Sequence, residues 1–496
     1  MNRTLRSAEP RAPHSGGTGR DLRRDVRRDL YAAGAAVLLV TAAVLIGHHI
    51  QHTHHTLRVD WPPLLGSWSP HVGPGTPASV VAATVTVVYG PTLAARLSWR
   101  ALLAASWGTA TAWILSLALI DGRQRGIAAR LTTRHEYLQV IDRFHDIPAA
   151  LRDFTHHILL GSPDNWPAHV AGHPPAATLT FVLLDRIGLR GGGWAGTWCI
   201  AVGATACVAV LVAVRALTDE RLARRAAPFL VLAPAAVWMG TSADAYFTAV
   251  AAWSVALLAL AVTARPVTTG PGTGRPAGGV SPSQRGRAWG GAVGSGLLFG
   301  LTCYLSYGLT LFALLGATVL LLGRGRVRER PGLLVLLLTG AAVVPTAFTL
   351  TGFDWWEAYR LLVTRYHQGA GGVRPYGYWV WANLACTVLI TGLATAAGLR
   401  RTGVTLRHRL DGSPERPDDP HRRGADARLA LLVAAALLAL LVADLSGMSK
   451  AETERIWLPF AVWLLPSCAF LSRPRAWLTA QAVLALLLNH LLLTGW

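Results

Sequence analysis

A polar segment from Asp121 to His173 carries the side chains of this chain that are best suited to acid–base chemistry. It lies between long apolar runs and ends in Gly172-His173-Pro174-Pro175. Carboxylates and histidines within hydrogen-bonding reach of a hydroxyl can take its proton as it reacts. Arginines from Arg123 to Arg152 accompany the acidic groups. Besides Asp121, the acidic residues of this segment are Glu136, Asp142, Asp146, Asp153 and Asp164.

The apolar residues of the same segment recur at helical intervals, so one face of each predicted helix is apolar and the other is charged. This pattern is typical of helices that lie on a membrane surface. It favours a functional site over a disordered tether. The residues that carry the pattern are Tyr137, Leu138, Ile141, Phe144, Ile147, Leu151, Phe154 and Ile158.

Composition predicts an all-α polytopic membrane protein. Of the 496 residues, 52% are hydrophobic and 15% are charged, and many apolar runs reach the length of a bilayer crossing. The alternation that a membrane β-barrel needs is missing. The formal charge of +20 comes almost entirely from arginines in short loops. Such residues set orientation, so we expect no nucleic-acid partner. The five cysteines lie within apolar runs without metal-ligand spacing, so no zinc site is expected.

The arginine-rich loops predict the topology. Residues 1–30 are interpreted as a disordered cytoplasmic tail, and residues 31–496 as a bundle of about 13 spans. A short apolar stretch, Pro174 to Leu184, is predicted to lie flat, because the later basic loops then fall inside. The regions 265–288 and 400–427 are predicted to be cytoplasmic linkers. The chain is thus expected in the plasma membrane with its N-terminus cytoplasmic, its C-terminus extracytoplasmic, and residues 121–173 outside.

This topology places unusual polar groups on the same outer face. Ionisable groups at membrane depth are costly and are usually paired or functional. Alternatives remain open for several of them: Asp244 as a helix cap, the turn from Lys450 to Arg455 as a solvated ion-paired loop, and His173 as a cap or a phosphate contact. The groups concerned are His173, Asp244, Tyr307, Arg374, Tyr376, Lys450, Glu452 and Arg455.

The arrangement resembles the GT-C fold glycosyltransferases that use polyprenyl-phosphate sugars, including the protein O-mannosyltransferases and the aminoarabinose transferases. The likeness covers roughly residues 101–471. It rests on His135-Glu136-Tyr137-Leu138 in the first outer loop, Gly172-His173-Pro174-Pro175 opening a juxtamembrane helix, and Ser242-Ala243-Asp244-Ala245 at a later outer turn. The stretch Glu452 to Phe460 is similar to one in actinobacterial membrane proteins of this type. Members often have two adjacent acidic residues where this chain has His135-Glu136.

The resemblance implies transfer of a sugar from a polyprenyl-phosphate donor to an acceptor on the outer face. Glu136 would be the base that takes the acceptor's proton in an inverting displacement, with Asp121 in reserve. Asp244 would orient the acceptor or hold a divalent cation, if one is used. The phosphate would be met by cationic or hydrogen-bonding groups among His173, Arg374, Lys450 and Arg455. The alternative function is a transporter or flippase of a lipid-linked or small solute.

Overall fold

The computed structural model describes residues 16–264, 282–411 and 420–495, and most of them are helical. Within these ranges, eight helices are long and apolar enough to cross a membrane, or nine if a bent pair is taken as one span. The chain is therefore an all-α polytopic membrane protein, as predicted. It opens with three long helices, α1 (Gly16–His54), α2 (Thr76–Arg96) and α3 (Trp99–Ala118).

The segment 121–173 folds as a series of short helical turns that we call the cover segment. Its apolar side chains point into the protein: Tyr137, Phe144 and Phe154 are at most 1% exposed. Short helices are unstable alone and gain stability from burying such a face. Its 3-10 and π turns are Leu119–Asp121, Gln124–Ala128, Arg130–Thr132, Tyr137–Phe144 and Phe154–His157, and its α-helices are α4 (Ile147–Arg152) and α5 (Ala168–Gly172).

The prediction that this apolar face rests on the membrane was therefore wrong for its largest side chains. Tyr137 stacks on Phe181, with ring centroids 5.2 Å apart. Trp166 stacks on Phe144 at 5.8 Å and approaches Phe154 at 5.3 Å. The helical period of the apolar residues shows that one face is buried, but not whether lipid or protein covers it. The next helix, α6 (Ala176–Arg186), has 11 residues and is too short to cross a bilayer, in line with the flat helix expected there.

The middle of the chain surrounds one central helix. α11 (Ala243–Thr263) is the span most enclosed by protein, since 83% of its most apolar window is buried. It begins at the Asp244 turn, so its polar first turn lies at the same end as the cover segment. The helices that precede it in the chain are α7 (Gly191–Gly203), α8 (Thr205–Leu217), α9 (Glu220–Val231) and α10 (Ala236–Met239).

Glycines allow two of the following helices to approach closely. A Cβ at Gly296 would lie 2.2 Å from the Leu337 carbonyl oxygen, and one at Gly340 would lie 2.6 Å from that of Val293. Small residues commonly serve this purpose in membrane helix pairs. The elements of this part are α12 (Pro282–Leu305), a 3-10 turn (Tyr307–Leu311), α13 (Phe312–Leu322), α14 (Arg324–Glu329), α15 (Gly332–Leu350), α16 (Trp355–Gln368) and α17 (Ala370–Val373).

The last part of the chain contains the bent pair. The chain bends by 108° between α18 (Tyr376–Thr391) and α19 (Leu393–Asp411). The bend lies at Gly392, whose φ of 85° favours glycine. They are followed by α20 (Pro420–Leu445), α21 (Thr453–Ile456), α22 (Leu458–Ala461), a 3-10 turn (Leu465–Phe470) and α23 (Pro474–Leu491). A short antiparallel sheet joins β1 (Gly66–Trp68) to β2 (Leu492–Thr494), with Gly66 opposite Thr494.

The predicted count of about 13 spans was too high. The stretch 227–241 breaks into α9 and α10 around Pro234. The apolar helices Tyr307–Leu322 and Leu458–Phe470 are shorter than a span. α23 is not among the candidate spans and carries Gln481 and Asn489 among its buried residues. Hydropathy marks an apolar run but does not show where its helix breaks, so a run of span length can fold as shorter helices.

The boundaries of the predicted tail and linkers also change. Helix α1 already includes residues 16–30, and Asp29 within it is fully buried. The flanks of both predicted linkers are helical, at 282–288, 400–411 and 420–427. The remaining parts of these predictions, residues 1–15, 265–281 and 412–419, lie outside the described residues.

Reporter fusions test the predicted orientation. We expect a fusion after Ser162 and a fusion after Thr218 to report opposite sides of the membrane, because the span Gly191–Leu217 separates them and α6 is too short to cross. The readout is paired periplasmic and cytoplasmic reporter activity. The same side for both fusions would contradict the flat α6.

Substitution of Asp29 tests an ion pair that fastens α1 to α19. Its carboxylate lies 2.9 Å from Arg400 and 2.6 Å from Arg401. Asp29→Asn leaves the two arginines with the more distant carboxylate of Asp25, 3.7 Å from Arg400 and 3.4 Å from Arg401. We therefore expect stability to fall by about 1–3 kcal/mol in thermal unfolding of the purified protein. The control Asp411→Asn disrupts an exposed pair with Arg407, which contributes at most about 0.5 kcal/mol. Equal effects of the two variants would refute this role of Asp29.

Candidate functional site

Five side chains from distant parts of the sequence form a charge cluster beneath the cover segment: Glu136, His169, Asp244, Glu452 and Arg455. The guanidinium of Arg455 donates to the Asp244 carboxylate, and its other terminal nitrogen lies 3.2 Å from His169 Nε2 and 3.3 Å from Glu452 Oε2. His169 Nδ1 lies 2.9 Å from Glu136 Oε1. Glu136, Asp244 and Arg455 are each at most 4% exposed. Sequence separations of up to 319 positions are thus brought into one network (136 to 455).

Backbone contacts place Glu136 beside His169. Glu136 occupies the position before the 3-10 turn Tyr137–Phe144, and the His169 N–H donates to the His135 carbonyl at 3.0 Å. The hydrogen-bond partners then define the histidine tautomer. An arginine only donates, so His169 Nε2 must accept from Arg455, and the ring proton sits on Nδ1 facing Glu136. The imidazole thereby links the guanidinium of Arg455 to the Glu136 carboxylate.

A constrained turn presents Asp244 to Arg455. Thr241 has a φ of 73°, which is unusual for a β-branched residue, and its hydroxyl donates to the Gly126 carbonyl at 2.8 Å. Ser242 precedes α11 without a side-chain cap bond, and Asp244 follows in the first turn. The Asp244 side chain pairs with Arg455, so the alternative of a simple helix cap does not describe its contact.

A second strained turn presents Glu452. Ala451 and Glu452 have φ values of 69° and 62°, a left-handed conformation that costs a non-glycine residue about 1–3 kcal/mol. The turn leads directly into α21, which carries Arg455. Arg374 closes the other side, with its Nη1 3.7 Å from Glu452 Oε1 and 2.7 Å from the Lys450 carbonyl. Consecutive strained residues next to buried charges are a pattern found at functional sites.

Opposing influences set the ionisation of the cluster. Burial disfavours the carboxylate of Glu136, but His169 first and then Arg455 outweigh it, so its pKa lies below the ordinary value. The pKa of Glu452 is likewise lowered against burial, mainly by Arg455 and Arg374. Burial alone would lower the pKa of Arg455, yet Asp244 and Glu452 raise it. All three groups are therefore charged at neutral pH.

His173 and Tyr137 form a neutral layer beside these charges. His173 Nδ1 lies 2.8 Å from the His169 carbonyl oxygen and 3.1 Å from the Tyr137 hydroxyl. Because a carbonyl only accepts, the His173 proton sits on Nδ1. Burial lowers the pKa of His173 to about 4, which keeps the ring uncharged. His173 does not cap α6, whose N-cap position is Pro175; it is instead the C-cap residue of α5, and its ring bonds to the carbonyl of His169 in that helix.

The remaining predicted residues are divided between this site and other places. Lys450 lies next to it, with Nζ donating to the Gly371 carbonyl at 2.9 Å. Asp121 lies in a separate group, 2.7 Å from Arg130 and 2.9 Å from His71. Asp121 is thus already paired and makes no described contact with the charge cluster.

Two predicted tyrosines also lie apart. Tyr307 packs against Trp355, with ring centroids 5.0 Å apart. The Tyr376 hydroxyl donates to the Leu445 carbonyl at 3.2 Å. Neither contacts a member of the charge cluster among the described residues.

Sequence reasoning missed His169 and Glu454. His169 sits four residues before His173, a spacing that puts both rings on one side of a helical turn and that offered a usable signal. Glu454 is fully buried and accepts from the Leu65 N–H at 3.0 Å, and burial raises its pKa to about 7. Nothing in the sequence distinguishes Glu454 from the exposed acids of other loops.

No group of three or more His, Cys, Asp or Glu side chains is arranged to hold a metal ion within the ranges that the structure describes. The acids of the charge cluster face arginine and histidine instead. A divalent cation at Asp244 stays a prediction.

Comparisons with known proteins match the fold only remotely. No family model matches the chain, and no curated protein matches it. Among solved structures, it is similar to the oligosaccharyltransferase AglB from the archaeon Archaeoglobus fulgidus, in complex with an inhibitory peptide and a dolichol-phosphate: TM-score 0.41, 12% identity, 75% of this chain and 50% of that one. The apo form of the same organism's enzyme gives TM-score 0.37, 12% identity, 80% and 50% coverage. Its complex with zinc and sulfate gives TM-score 0.35, 14% identity, 73% and 47%. The chain spans about half the length of these enzymes.

Proposed function

We propose that this protein is a membrane glycosyltransferase of GT-C type that moves a sugar from a polyprenyl-phosphate donor to an acceptor on the extracytoplasmic face. The observation that carries the proposal is the buried charge cluster, in which Glu136, His169, Asp244, Glu452 and Arg455 meet at one end of the membrane helices. Buried ionisable networks are costly and are kept mainly where they serve a function.

Glu136 is the base in this proposal because its pairing differs from that of the other two acids. Asp244 and Glu452 each contact the guanidinium of Arg455 directly. A carboxylate that is bonded to a guanidinium is a weak proton acceptor. Glu136 contacts a ring nitrogen of His169, and the described residues give its second oxygen, Oε2, no hydrogen bond. That oxygen is the one to accept the acceptor's proton.

The reaction is a single displacement at the sugar. The acceptor hydroxyl attacks the anomeric carbon while its proton passes to Glu136 Oε2, and the bond from that carbon to the phosphate oxygen breaks with its electrons leaving on the phosphate. One displacement inverts the anomeric configuration. Lys450 is the cation best placed to meet the phosphate, since its Nζ contacts a backbone carbonyl, whereas Arg374 and Arg455 already face Glu452. Glu136 is 4% exposed, so the acceptor enters as the cover segment moves.

Glu136→Gln tests the base. The amide fills the same space but takes no proton, so sugar transfer should fall by about 10²–10⁴-fold, the usual contribution of a general base. The measurement starts from the glycans and glycolipids that cells lose when this chain is deleted, and asks whether the variant restores them. Expression and membrane insertion should match the wild type.

Asp142→Asn is the matched control, because Asp142 is an exposed acid of the same cover segment. It should restore the lost product fully. Wild-type transfer by Glu136→Gln would remove Glu136 as the base. A deletion that changes the distribution of a lipid-linked sugar across the membrane, without loss of any glycosylated product, would favour the transporter function.

His169→Gln tests how the base is kept ionised. His169 is the main influence that lowers the pKa of Glu136 against burial, so its removal should raise that pKa. Because the ionised form is the active one, the acid limb of the kcat/KM profile for sugar transfer should move to higher pH, with activity recovered above it. His156→Gln, at an exposed histidine, should leave the limb in place. A uniform loss of rate with an unmoved limb would contradict this positioning role.

A further inference from the structure

A cleft lined by arginines lies at the end of the bundle away from the charge cluster. Its outer part, about 510 Å³, is lined by the end of α2 and the start of α23, and an adjoining cavity of about 190 Å³ reaches α9. α2 and α23 run antiparallel, since Thr76 at the start of α2 contacts His490 near the end of α23 at 3.0 Å. Helix α9, which lines the cleft, begins at the opposite end of the bundle from the start of α11, where the charge cluster lies. The cleft and the charge cluster therefore lie at opposite ends of the bundle. We call this feature the arginine cleft; its basic residues are Arg96, Arg224, Arg225, Arg473 and Arg475.

The arginine cleft carries an excess of positive charge. Arg224 pairs with Glu220 at 2.6 Å. The other four arginines form no ion pair with any carboxylate in the part of the chain that the structure describes. Arg225 donates to the Leu471 carbonyl at 2.7 Å, and Arg475 donates to the Val88 carbonyl at 3.2 Å. These two guanidinium groups are therefore held in place by neutral partners, and the cleft is suited to an anion.

An exposed apolar stripe leads from the arginine cleft along the bundle. On α2, Val81, Val85 and Val88 are exposed and share one helix face with Thr92, which lines the cleft. On α23, Val483 and Leu487 are exposed in the same way. Since α2 has the length and hydropathy of a membrane span, its exposed valines are suited to contact with hydrocarbon. A site that joins guanidinium groups to a hydrocarbon-facing stripe fits an anionic head with an acyl tail better than a soluble anion.

We propose that the arginine cleft is a binding site for an anionic phospholipid, with its phosphate on Arg96, Arg473 and Arg475 and its acyl chain along the α2 and α23 stripe. The outer cavity falls within the range of small-molecule sites, roughly 300–1,000 Å³. Basic pockets between membrane helices bind lipid head groups in this way. The lipid fills the junction of α2, α9 and α23 and holds these helices together. This inference is independent of the proposed sugar transfer.

Native mass spectrometry of the full-length protein in detergent tests the site, with phosphatidylglycerol and phosphatidylcholine as the two probes. Wild type should retain phosphatidylglycerol in preference to phosphatidylcholine. The double variant Arg96→Gln/Arg473→Gln should bind phosphatidylglycerol about tenfold more weakly, since each arginine near a head group adds attraction. These two side chains make no described hydrogen bond, so the variant should fold; a thermal unfolding scan without lipid checks this.

The matched control is Arg324→Gln/Arg328→Gln, which removes two exposed arginines at the same end of the bundle but outside the cleft. It should bind phosphatidylglycerol like the wild type. Equal losses in both double variants would show general charge attraction and overturn the site. Displacement of phosphatidylglycerol by excess inorganic phosphate would overturn the lipid as occupant, because a soluble anion would then suffice. Retention in excess phosphate supports the lipid.

Discussion

Burial of the Arg455 guanidinium is the constraint on which the rest of this structure depends. A cation inside the protein at the end of a membrane bundle is tolerated only when anions and hydrogen-bond acceptors surround it. Asp244, Glu452 and His169 supply them, each from a different part of the chain. The helices must therefore meet so that the start of α11, the turn before α21 and helix α5 converge. Removing Arg455 would leave the buried Asp244 carboxylate without an ion pair among the described residues, so the network acts as a single unit.

The cover segment solves a related problem. It must bring Glu136 to His169 while shielding both from water, and it does so by burying aromatic side chains against the protein. In this low-dielectric setting charges interact strongly. His169 and Arg455 thus keep the buried Glu136 ionised, and His173 stays neutral nearby. Strained turns at Thr241 and at Ala451 and Glu452 are the cost of this geometry.

The two ends of the bundle differ in how their charged side chains are paired. At the end with the charge cluster, the buried arginine is paired with acids of the same chain. At the opposite end, arginines stand in excess around a cleft beside lipid-facing helices. Both arrangements follow from the same physics, since an ion near hydrocarbon is stable only with a partner of opposite sign. At the first end the chain provides the partner, and at the other end we infer that the membrane does.

The sequence by itself determined that the molecule is a helical membrane protein, and it indicated which polar residues could form a site. Apolar runs predict an all-α membrane protein. Asp244, Glu452 and Arg455 stand out as ionisable groups next to apolar runs, and the resemblance to the GT-C transferases singles out Glu136. Only the tertiary structure decided that these four meet, that His169 joins them, and that Asp121, Tyr307 and Tyr376 lie elsewhere. It also left eight or nine candidate spans among the described residues, because several apolar runs fold as helices too short to cross a bilayer. Local patterns report how each residue prefers to be surrounded, whereas pairings across hundreds of positions depend on how the helices pack.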